Sequence, residues 1–310
     1  MARIAHGPGG RSMWRGCVLS IVLLACAPEE ESPVVSAGME PLTNVIDIHG
    51  HHGTLRTDYG QYDITTESFL SVLSASQVKW VVVSNLDGAS VEGGADVQQS
   101  AANAATSKLV REHPSRVRGL LWAKPNEGTP SELIPFTSER LPDGSRVFVG
   151  VKLHPDWQSV SAADTSIDGY MAVCRAAGLT MMIHTDVSSP LSHPEKVFDL
   201  GKRFPDVPIV LYHMGFFGEH EVAMEVVRRA TAEGSANLYL ETSSASAEDI
   251  LAAIRQVGAE RVLFGSDVPY FGALHYAIYG SILETLRSAL PPAEYALVTH
   301  GNAQRLLGLE

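Results

Sequence analysis

Five residues with metal-binding or acid–base side chains stand at the ends of short apolar runs. His49 and His51 close the first run, His184 and His213 close two later runs, and Asp267 follows the last. Imidazole and carboxylate are ligands that suit zinc and similar divalent ions. Because side chains alternate along a strand, His49 and His51 share one face. These residue types and spacings indicate metal-dependent chemistry, provided that the ends of the runs meet.

The segments that must bring these ends together alternate between two patterns from residue 43 onward. Short β-rich runs, most of them continuously apolar as in strands buried on both faces, are separated by longer helical patterns. The predicted strands are Val45–His49, Lys79–Ser84, Val117–Ala123, Phe148–His154, Thr180–His184, Ile209–His213, Asn237–Glu241 and Val262–Ser266. The predicted helices include Thr66–Ser76, Val97–His113, Ile167–Ala177, Pro194–Phe204, Glu221–Glu233 and Ala247–Val257. The alternation implies parallel strands joined by right-handed crossovers.

Eight strand–helix units predict an α/β protein with a closed (β/α)8 TIM barrel. The chain has 310 residues, and such a barrel takes about 250 residues plus extensions. No G-x-G-x-x-G follows an early strand and no P-loop occurs, so a nucleotide-binding open sheet lacks local support. We expect a single domain over 43–310 with an extra C-terminal helix. Reacting groups in such barrels project from the carboxyl ends of the strands, where His49, His51, His184 and Asp267 would converge on one metal.

The composition excludes several classes of protein. Apolar residues make up 45% of the chain and charged residues 19%, so a large core can form and wholesale disorder is excluded. Asp plus Glu number 35 against 23 Lys plus Arg, and the formal net charge of −12 argues against a nucleic-acid partner. The three cysteines, Cys17, Cys26 and Cys174, cannot make a disulfide framework or a thiolate zinc site. We therefore expect no nucleic-acid partner.

Residues 1–25 have the composition of a secretory signal peptide. Arginines precede the apolar run Val18–Ala25, which is too short to span a bilayer because spanning takes about 20 residues. The segment Leu23-Leu24-Ala25-Cys26 resembles the lipobox of bacterial lipoproteins, in which the cysteine is acylated and becomes the first residue. Translation from Met13 instead of Met1 would give a more compact signal.

The lipobox resemblance implies an exported bacterial lipoprotein at the periplasmic or outer cell-surface face of a membrane. A lipid on Cys26 would then be its membrane contact, and residues 26–42, which are polar and contain prolines, would form a flexible tether. The alternative interpretation is a miscalled N-terminus in a protein that is never exported.

Five ordered segments resemble the amidohydrolase superfamily, specifically its amidohydrolase-related family 2 of metal-dependent barrel enzymes. They are Ile46-Asp47-Ile48-His49-Gly50-His51, Gly150-Val151-Lys152-Leu153-His154-Pro155, Ile183-His184-Thr185, His213-Met214-Gly215 and Leu263-Phe264-Gly265-Ser266-Asp267-Val268-Pro269. The closing stretch from Gly301 to Leu307 is similar to the family's final helix. The resemblance extends from about residue 44 to 309, and the ordered set is far more specific than a lone H-x-H pair.

The resemblance implies a role for each candidate residue. His49, His51, His184 and Asp267 would bind a divalent metal, most simply one Zn²⁺, and His213 would be the catalytic histidine that orients or polarises the substrate. A bound metal lowers the pKa of water to about 7, and Asp267 would take the water's proton and return it to the leaving group. The metal and His213 would stabilise the developing oxyanion. The direct interpretation is a hydrolase of an amide, lactone or ester, and the small-molecule substrate is an expectation that comes from the family resemblance alone.

The fourth predicted strand leaves the number of metals open at one or two. Some superfamily members place a carbamylated lysine or a glutamate there to bridge two metals, whereas others bind a single metal. Lys152 and His154 share one face by alternation, so either could contact a second metal or the substrate. Alternatively, Lys152 makes an internal salt bridge and His154 orients the loop at Pro155.

Three other functional interpretations stay open. The same branch contains metal-dependent decarboxylases, which usually need a cation for the substrate carboxylate, and Arg56 in the loop after the first strand is the candidate. One lactonase group of the branch works without metal. The third interpretation is a non-catalytic, membrane-tethered binding barrel, although none of the four predicted metal ligands is missing from the sequence. A homodimer is compatible with each of them.

Other polar residues near the strand ends carry weaker expectations. Glu241 ends the seventh predicted strand and, with the residues after it, could line the pocket. His52 should point away from the neighbouring histidine pair because side chains alternate. His220 and His275 fall in helical or loop stretches and are expected at the surface.

Overall fold

The computed structural model describes residues 44–57, 60–76, 78–89, 97–216 and 218–309. The predicted signal peptide 1–25, the lipidation residue Cys26 and the tether 26–42 lie outside the described residues, and lipid attachment stays a prediction. Among the helices that are described, none is long and apolar enough to cross a membrane.

Each of the eight predicted strands overlaps an observed one. The strands are β1 (Ile46–Thr57), β2 (Gly60–Ile64), β3 (Trp80–Asn85), β4 (Val117–Trp122), β5 (Phe148–Leu153), β6 (Thr180–His184), β7 (Ile209–Tyr212), β8 (Leu238–Glu241) and β9 (Val262–Leu263). They form one sheet in the order β2-β1-β3-β4-β5-β6-β7-β8-β9. Every pairing from β1–β3 to β8–β9 is parallel, and β1–β2 is antiparallel. The buried parallel strands explain the continuous apolar runs in the sequence.

The parallel sheet closes on itself between β1 and the chain that follows β9. Ile48 N–H donates to the Phe264 carbonyl at 3.2 Å, and His51 N–H donates to the Val268 carbonyl at 2.8 Å. Val268 N–H returns a bond of 3.1 Å to the His49 carbonyl. This closure confirms the predicted TIM barrel, and it places the segment around His49 directly beside the segment that carries Asp267.

Helices cover the outside of the barrel and the end of the barrel at which the strands begin. They are α1 (Thr66–Ser76), α2 (Gln99–Glu112), α3 (Ile134–Thr137), α4 (Asp168–Ala177), α5 (Pro194–Arg203), α6 (Glu221–Glu233), α7 (Ala247–Val257), α8 (His275–Ala289), α9 (Pro292–Ala296) and α10 (Asn302–Leu307). The bounds of α1, α6 and α7 equal the predicted ranges. Helix α8 follows the last strand of the barrel as its eighth helix, and α9 and α10 come after it, at the position of the expected extra C-terminal helix. Leu307 and Leu309 pack with Ile46 and Trp80 inside the barrel, so the C-terminus closes the amino ends of the strands.

The first strand is longer than the sequence predicts. It continues past His49 to Thr57 and forms an antiparallel hairpin with β2, with Arg56 opposite Gln61. The prediction of a loop at Arg56 is therefore wrong for its backbone, and its side chain lies outside the described residues. The hairpin escaped prediction because Gly50–Thr57 is rich in glycine and polar residues and lacks an apolar run.

A substitution at Gly50 tests how closely β1 approaches its two neighbours where the barrel closes. A Cβ atom at this position would lie 2.5 Å from Val81 Cγ1 and 3.1 Å from Val268 Cγ1. We therefore expect Gly50→Ala to lower the free energy of unfolding by about 1–3 kcal/mol, the usual cost of overpacking a dense core. Urea denaturation of wild type and variant measures the difference. An unchanged unfolding midpoint would contradict this packing.

Candidate metal centre

Three donor atoms converge at the carboxyl ends of the strands. His49 Nε2 and His51 Nε2 are 3.1 Å apart, and Asp267 Oδ1 lies 3.1 Å from the first and 2.9 Å from the second. Bonds of about 2.0–2.1 Å to one ion place neighbouring ligand atoms about 3 Å apart. The spacing of this triad, defined as His49, His51 and Asp267, therefore fits a single divalent metal.

Asp267 supports this assignment with an unpaired atom. Its Oδ1 is buried and makes no hydrogen bond, although two imidazole nitrogens are close to it. The side chain as a whole is 24% exposed, so one side of the triad is open to solvent, as a catalytic metal site requires. The residue has a φ of +62°, a costly conformation for a residue with a Cβ and one that clusters at functional sites.

Polar partners behind the triad hold both histidine rings. Ser84 Oγ lies 3.0 Å from His51 Nδ1, and Glu241 Oε2 lies 3.1 Å from His49 Nδ1. A metal-binding histidine usually uses its second nitrogen in this way, because the contact fixes the ring and its hydrogen. The triad therefore has the supporting contacts that a metal site needs.

Glu241 also connects the triad to His213. Its Oε2 accepts the His213 backbone N–H at 3.1 Å and the Ser243 hydroxyl at 2.8 Å. Ser243 Oγ lies 2.8 Å from His213 Nδ1. Glu241 has no exposed surface, so the expectation that it lines the pocket is wrong: it lies behind the histidines instead.

His184 lies beside the triad and outside its closely spaced set of donor atoms. Its ring stacks on His154 at a centroid distance of 3.8 Å and meets His213 edge-on at 4.8 Å. His154 also stacks on Trp157. Donor atoms of His154, Asp156 and His184 lie within 4.8 Å of one another, but two parallel imidazoles direct their lone pairs side by side rather than to a common point.

Lys152 reaches the triad from β5. Its Nζ lies 3.4 Å from His49 Nε2 and 3.8 Å from the centre of the Tyr212 ring. Burial lowers the pKa of this amine to about 7, although the carboxylates of Asp267 and Glu241 oppose that shift. The structure thus brings Lys152 to the triad and places His154 one ring further away, behind His184.

A second buried carboxylate, Asp47, lies under the triad. It accepts hydrogen bonds from the backbone N–H groups of His49 and Ser266, both at 3.0 Å, and from Tyr276 OH at 2.9 Å. The Ser266 hydroxyl donates to it as well, and His275 Nε2 lies 2.9 Å from that hydroxyl. These contacts fix the residue before Asp267 against the strand that carries His49.

Burial dominates the electrostatics of the site. It raises the pKa of Asp47 to about 6 and that of Glu241 to about 8, against hydrogen bonds that favour their ionised forms. It lowers the pKa values of His49, His184 and His213 well below the ordinary range, and neighbouring positive groups add to the effect. Neutral imidazole is the form that binds a metal, so these histidines are in the protonation state that a metal ligand needs.

Two sequence expectations about outlying histidines are wrong. His220 is 2% exposed and places Nδ1 3.1 Å from the Met214 carbonyl, and His275 has no exposed surface. Both stand at the start of helices that pack against the barrel, so their helical or loop position did not imply exposure. His52 does turn away as predicted, with Nε2 3.3 Å from Thr106 Oγ1.

Comparison with known proteins identifies the family. A family model described as Amidohydrolase matches residues 45–309, which is most of the chain. The chain belongs to the amidohydrolase family. A comparison with curated proteins gives no match. Membership confirms the resemblance found in the sequence and supports an enzyme that acts on a small molecule.

Solved structures share the fold. The chain resembles 5-carboxyvanillate decarboxylase LigW from Sphingomonas paucimobilis with 18% identity and a TM-score of 0.63, over 86% of this chain and 99% of that one. A probable 2-pyrone-4,6-dicarboxylic acid hydrolase from Acinetobacter baumannii has 16% identity, a TM-score of 0.58 and coverage of 86% and 100%. A dihydroxybenzoic acid decarboxylase from a Polaromonas species, with bound manganese and 2-nitroresorcinol, has 17% identity, a TM-score of 0.61 and coverage of 86% and 97%. At these identities the likeness shows the fold alone.

The sequence alone did not predict the polar residues that lie behind the triad and make the hydrogen bonds that hold it in place. Asp47 carried a usable signal, because it precedes His49 by two residues in the same run. Ser84 and Tyr276 carried none, since a hydroxyl near a strand or helix end is common and its partners come from distant elements. Ser243 was expected only among the residues after Glu241 that could line the pocket, and its contact with His213 was not predicted.

The buried His275 makes stability depend on pH. Burial lowers its pKa from 6.5 to about 4, so the unfolded chain binds a proton in this interval that the folded protein does not. The free energy of unfolding therefore falls as the pH falls from about 7 to 4, by about 3 kcal/mol for this group. His275→Gln removes the titration and can keep a bond to Ser266. We expect its urea-denaturation free energies, measured with a chelator present, to fall less over this interval by about that amount, and equal slopes would contradict the assignment.

Proposed function

We propose that this amidohydrolase-family chain is a metal-dependent hydrolase that uses an activated water to cleave an amide, lactone or ester bond of a small molecule. The observation that carries the proposal is the triad: three donor atoms about 3 Å apart, with one oxygen unpaired and one side open. One Zn²⁺ is the proposed metal, held by the triad and by His184 as the fourth ligand. The manganese in the Polaromonas decarboxylase supports a divalent ion in a barrel of this shape.

Each side chain has a distinct task in this proposal. A divalent ion, when bound, supplies a Lewis acid that makes water nucleophilic near neutral pH. Asp267 takes a proton from the attacking water and returns it to the leaving group, because its carboxylate is the partly exposed member of the triad. His213, edge-on to His184, orients the reacting groups. The ring centre of Phe216 lies 5.0 Å from that of His213, and the ring centre of Tyr270 lies 5.7 Å from that of His51, so aromatic side chains lie next to the site and can contact an apolar part of the substrate.

Decarboxylation is the second candidate function, and Lys152 is the observation that favours it. A substrate carboxylate needs a cation, and Lys152 Nζ lies within 3.4 Å of the triad. Two structural relatives are decarboxylases by name. Arg56, the cation proposed from the sequence, lies in the β1–β2 hairpin and keeps that role as a proposal.

Metal content tests the site. We expect the purified protein to bind about one equivalent of Zn²⁺, and His49→Ala/His51→Ala to bind none. His52→Asn is the matched control, because His52 is adjacent in sequence but contacts Thr106, and it should keep the metal. Elemental analysis after dialysis measures all three proteins. Metal-free wild type after attempted reloading would contradict the proposal, and two equivalents would bring Lys152 and His154 into the ligand set.

Isotope labelling separates hydrolysis from decarboxylation. The enzyme is incubated with lactones, amides, esters and carboxylic acids in water enriched in oxygen-18. Hydrolysis places one labelled oxygen in the acid product, whereas decarboxylation releases carbon dioxide and leaves the organic product unlabelled. We expect labelled acid, a turnover lower by about 10²–10⁴-fold in His213→Asn with metal retained, and loss of both turnover and metal in Asp267→Asn. Turnover near the wild-type value in Asp267→Asn would exclude its role as base.

We also propose export and lipid attachment at Cys26, supported by the apolar run and the Leu23-Leu24-Ala25-Cys26 segment. Cys26→Ser should release the protein from the membrane fraction or leave it as uncleaved precursor, because no thiol remains to be acylated. Cell fractionation measures how much of the protein is in the membrane fraction, and metabolic labelling with a fatty acid measures its acylation. Unchanged fractionation of the variant would contradict the lipid anchor.

A further inference from the structure

We propose that Glu241 and Ser243 are positioning residues that fix the hydrogens on the rings of His49 and His213, so that His213 presents an unprotonated Nε2 to the reaction. The consequence for catalysis rests on the proposed function, but the assignment itself rests on hydrogen-bond geometry. Neither residue touches the opening: Glu241 and Ser243 both have no exposed surface.

Glu241 is surrounded by donors. The Ser243 backbone N–H donates to Oε1, and the His213 backbone N–H donates to Oε2 at 3.1 Å. Backbone N–H groups are donors in every state of the protein. The side-chain neighbours of Oε2 are His49 Nδ1 at 3.1 Å and Ser243 Oγ at 2.8 Å. In its ionised form, which a bound divalent ion would favour, Glu241 can only accept hydrogen bonds, so its two side-chain neighbours are the groups that supply hydrogens.

The triad assigns the hydrogen on His49. Because His49 Nε2 faces His51 Nε2 and Asp267 Oδ1 at about 3 Å, it needs a free lone pair to bind a metal. The ring hydrogen then sits on Nδ1, where Glu241 accepts it. Contact with a carboxylate also makes Nε2 a stronger ligand.

The Ser243 hydroxyl fixes the position of the ring hydrogen on His213. Its oxygen lies 2.8 Å from Glu241 Oε2 and 2.8 Å from His213 Nδ1, and it has one hydrogen to give. Donation to Glu241 uses that hydrogen, so the oxygen accepts the Nδ1 hydrogen of His213. The other nitrogen, Nε2, is then without a hydrogen. His213 can accept a hydrogen bond or a proton there but cannot donate one to a carbonyl, which revises the polarising role expected from the sequence.

The backbone around Glu241 stabilises the contacts among Glu241, Ser243 and His213. His213 has a φ of +65°, a strained conformation that persists only where its surroundings hold it, and Glu241 accepts a hydrogen bond from its N–H group. Gly265 leaves the space for the carboxylate, because a Cβ there would lie 2.3 Å from Glu241 Oε1. Glu241 thus fixes His213 twice, directly through the backbone and through Ser243 at the ring.

The neighbouring Ser244 provides a matched control. Its Oγ lies 3.4 Å from His213 Nδ1, which is at the limit of a hydrogen bond. Ser243→Ala and Ser244→Ala remove the same hydroxyl group from adjacent residues, but the geometry assigns the effect on His213 to Ser243.

Nitrogen-15 NMR of histidine-labelled protein reads the ring hydrogens directly, and His213→Asn identifies the His213 signals. In zinc-loaded wild type and in Ser244→Ala, we expect His213 to carry its hydrogen on Nδ1. Ser243→Ala should shift the population toward the Nε2-protonated form while the zinc dissociation constant stays near the wild-type value. Glu241→Gln, which keeps one acceptor oxygen for four donors, should change the His213 population and weaken zinc binding by about 10–100-fold.

The pattern across variants decides the proposal. A merely structural role would shift unfolding midpoints without separating the His213 signal from zinc affinity. An Nε2-protonated His213 in wild type, or an unchanged His213 in Ser243→Ala, would overturn the proposal. The His213 signals are recorded in metal-free protein as well. A chain that binds no zinc would thus contradict the proposed function while the tautomer still tests this inference.

Discussion

The buried carboxylate of Asp47 joins the first strand to the chain after the last one, and the metal-binding triad depends on that connection. His49 and His51 come from one side of the barrel closure and Asp267 from the other, more than 200 positions later in the sequence. Asp47 binds the backbone N–H groups of both His49 and Ser266, so the two sides cannot shift independently. The missing Cβ of Gly50 lets the strands approach closely enough for these bonds to form. The same contacts that close the fold therefore also set the distances between the donor atoms.

The repeating elements were predictable because their physical cause is local. A strand buried on both faces needs a continuous apolar run, and segments such as Val117–Trp122 and Phe148–Leu153 show one. Helices α6 and α7 begin and end at the residues that the sequence predicts. The hairpin of β1 and β2 was not predictable, since its few apolar residues, such as Leu55 and Ile64, are buried in the core but are separated by polar residues and glycines and form no apolar run. Its effect on the site is direct: Tyr62 of β2 packs on Tyr270 at 4.7 Å, and Tyr270 packs on His51.

The site was predictable to the extent that chemistry follows strand ends. The positions of His49, His51 and Asp267 could be inferred because parallel strands deliver their carboxyl ends to one face. The roles of Glu241 and His275 could not, because burial of a polar residue depends on what packs over it. His275 begins α8, and its Nε2 lies 2.9 Å from Ser266 Oγ, which in turn donates a hydrogen bond to Asp47 of β1. The type of a residue at the end of a strand or helix does not predict which residues of other elements it will contact.

Buried carboxylates make this site a favourable place for a bound cation. Asp47 and Glu241 are fully buried and Asp267 is largely so, and the raised pKa values of the first two measure the cost of ionising them without compensation. Lys152 supplies part of the compensation, yet its own pKa is lowered to about 7, so its charge is held weakly. A divalent ion in the triad would favour ionised carboxylates and a neutral lysine at the same time, because it attracts the former and repels the ammonium group. In the proposed metal-bound state, the ion and the charge on Lys152 would therefore be competing ways of neutralising the same acids, and binding of the ion would release protons from this cluster.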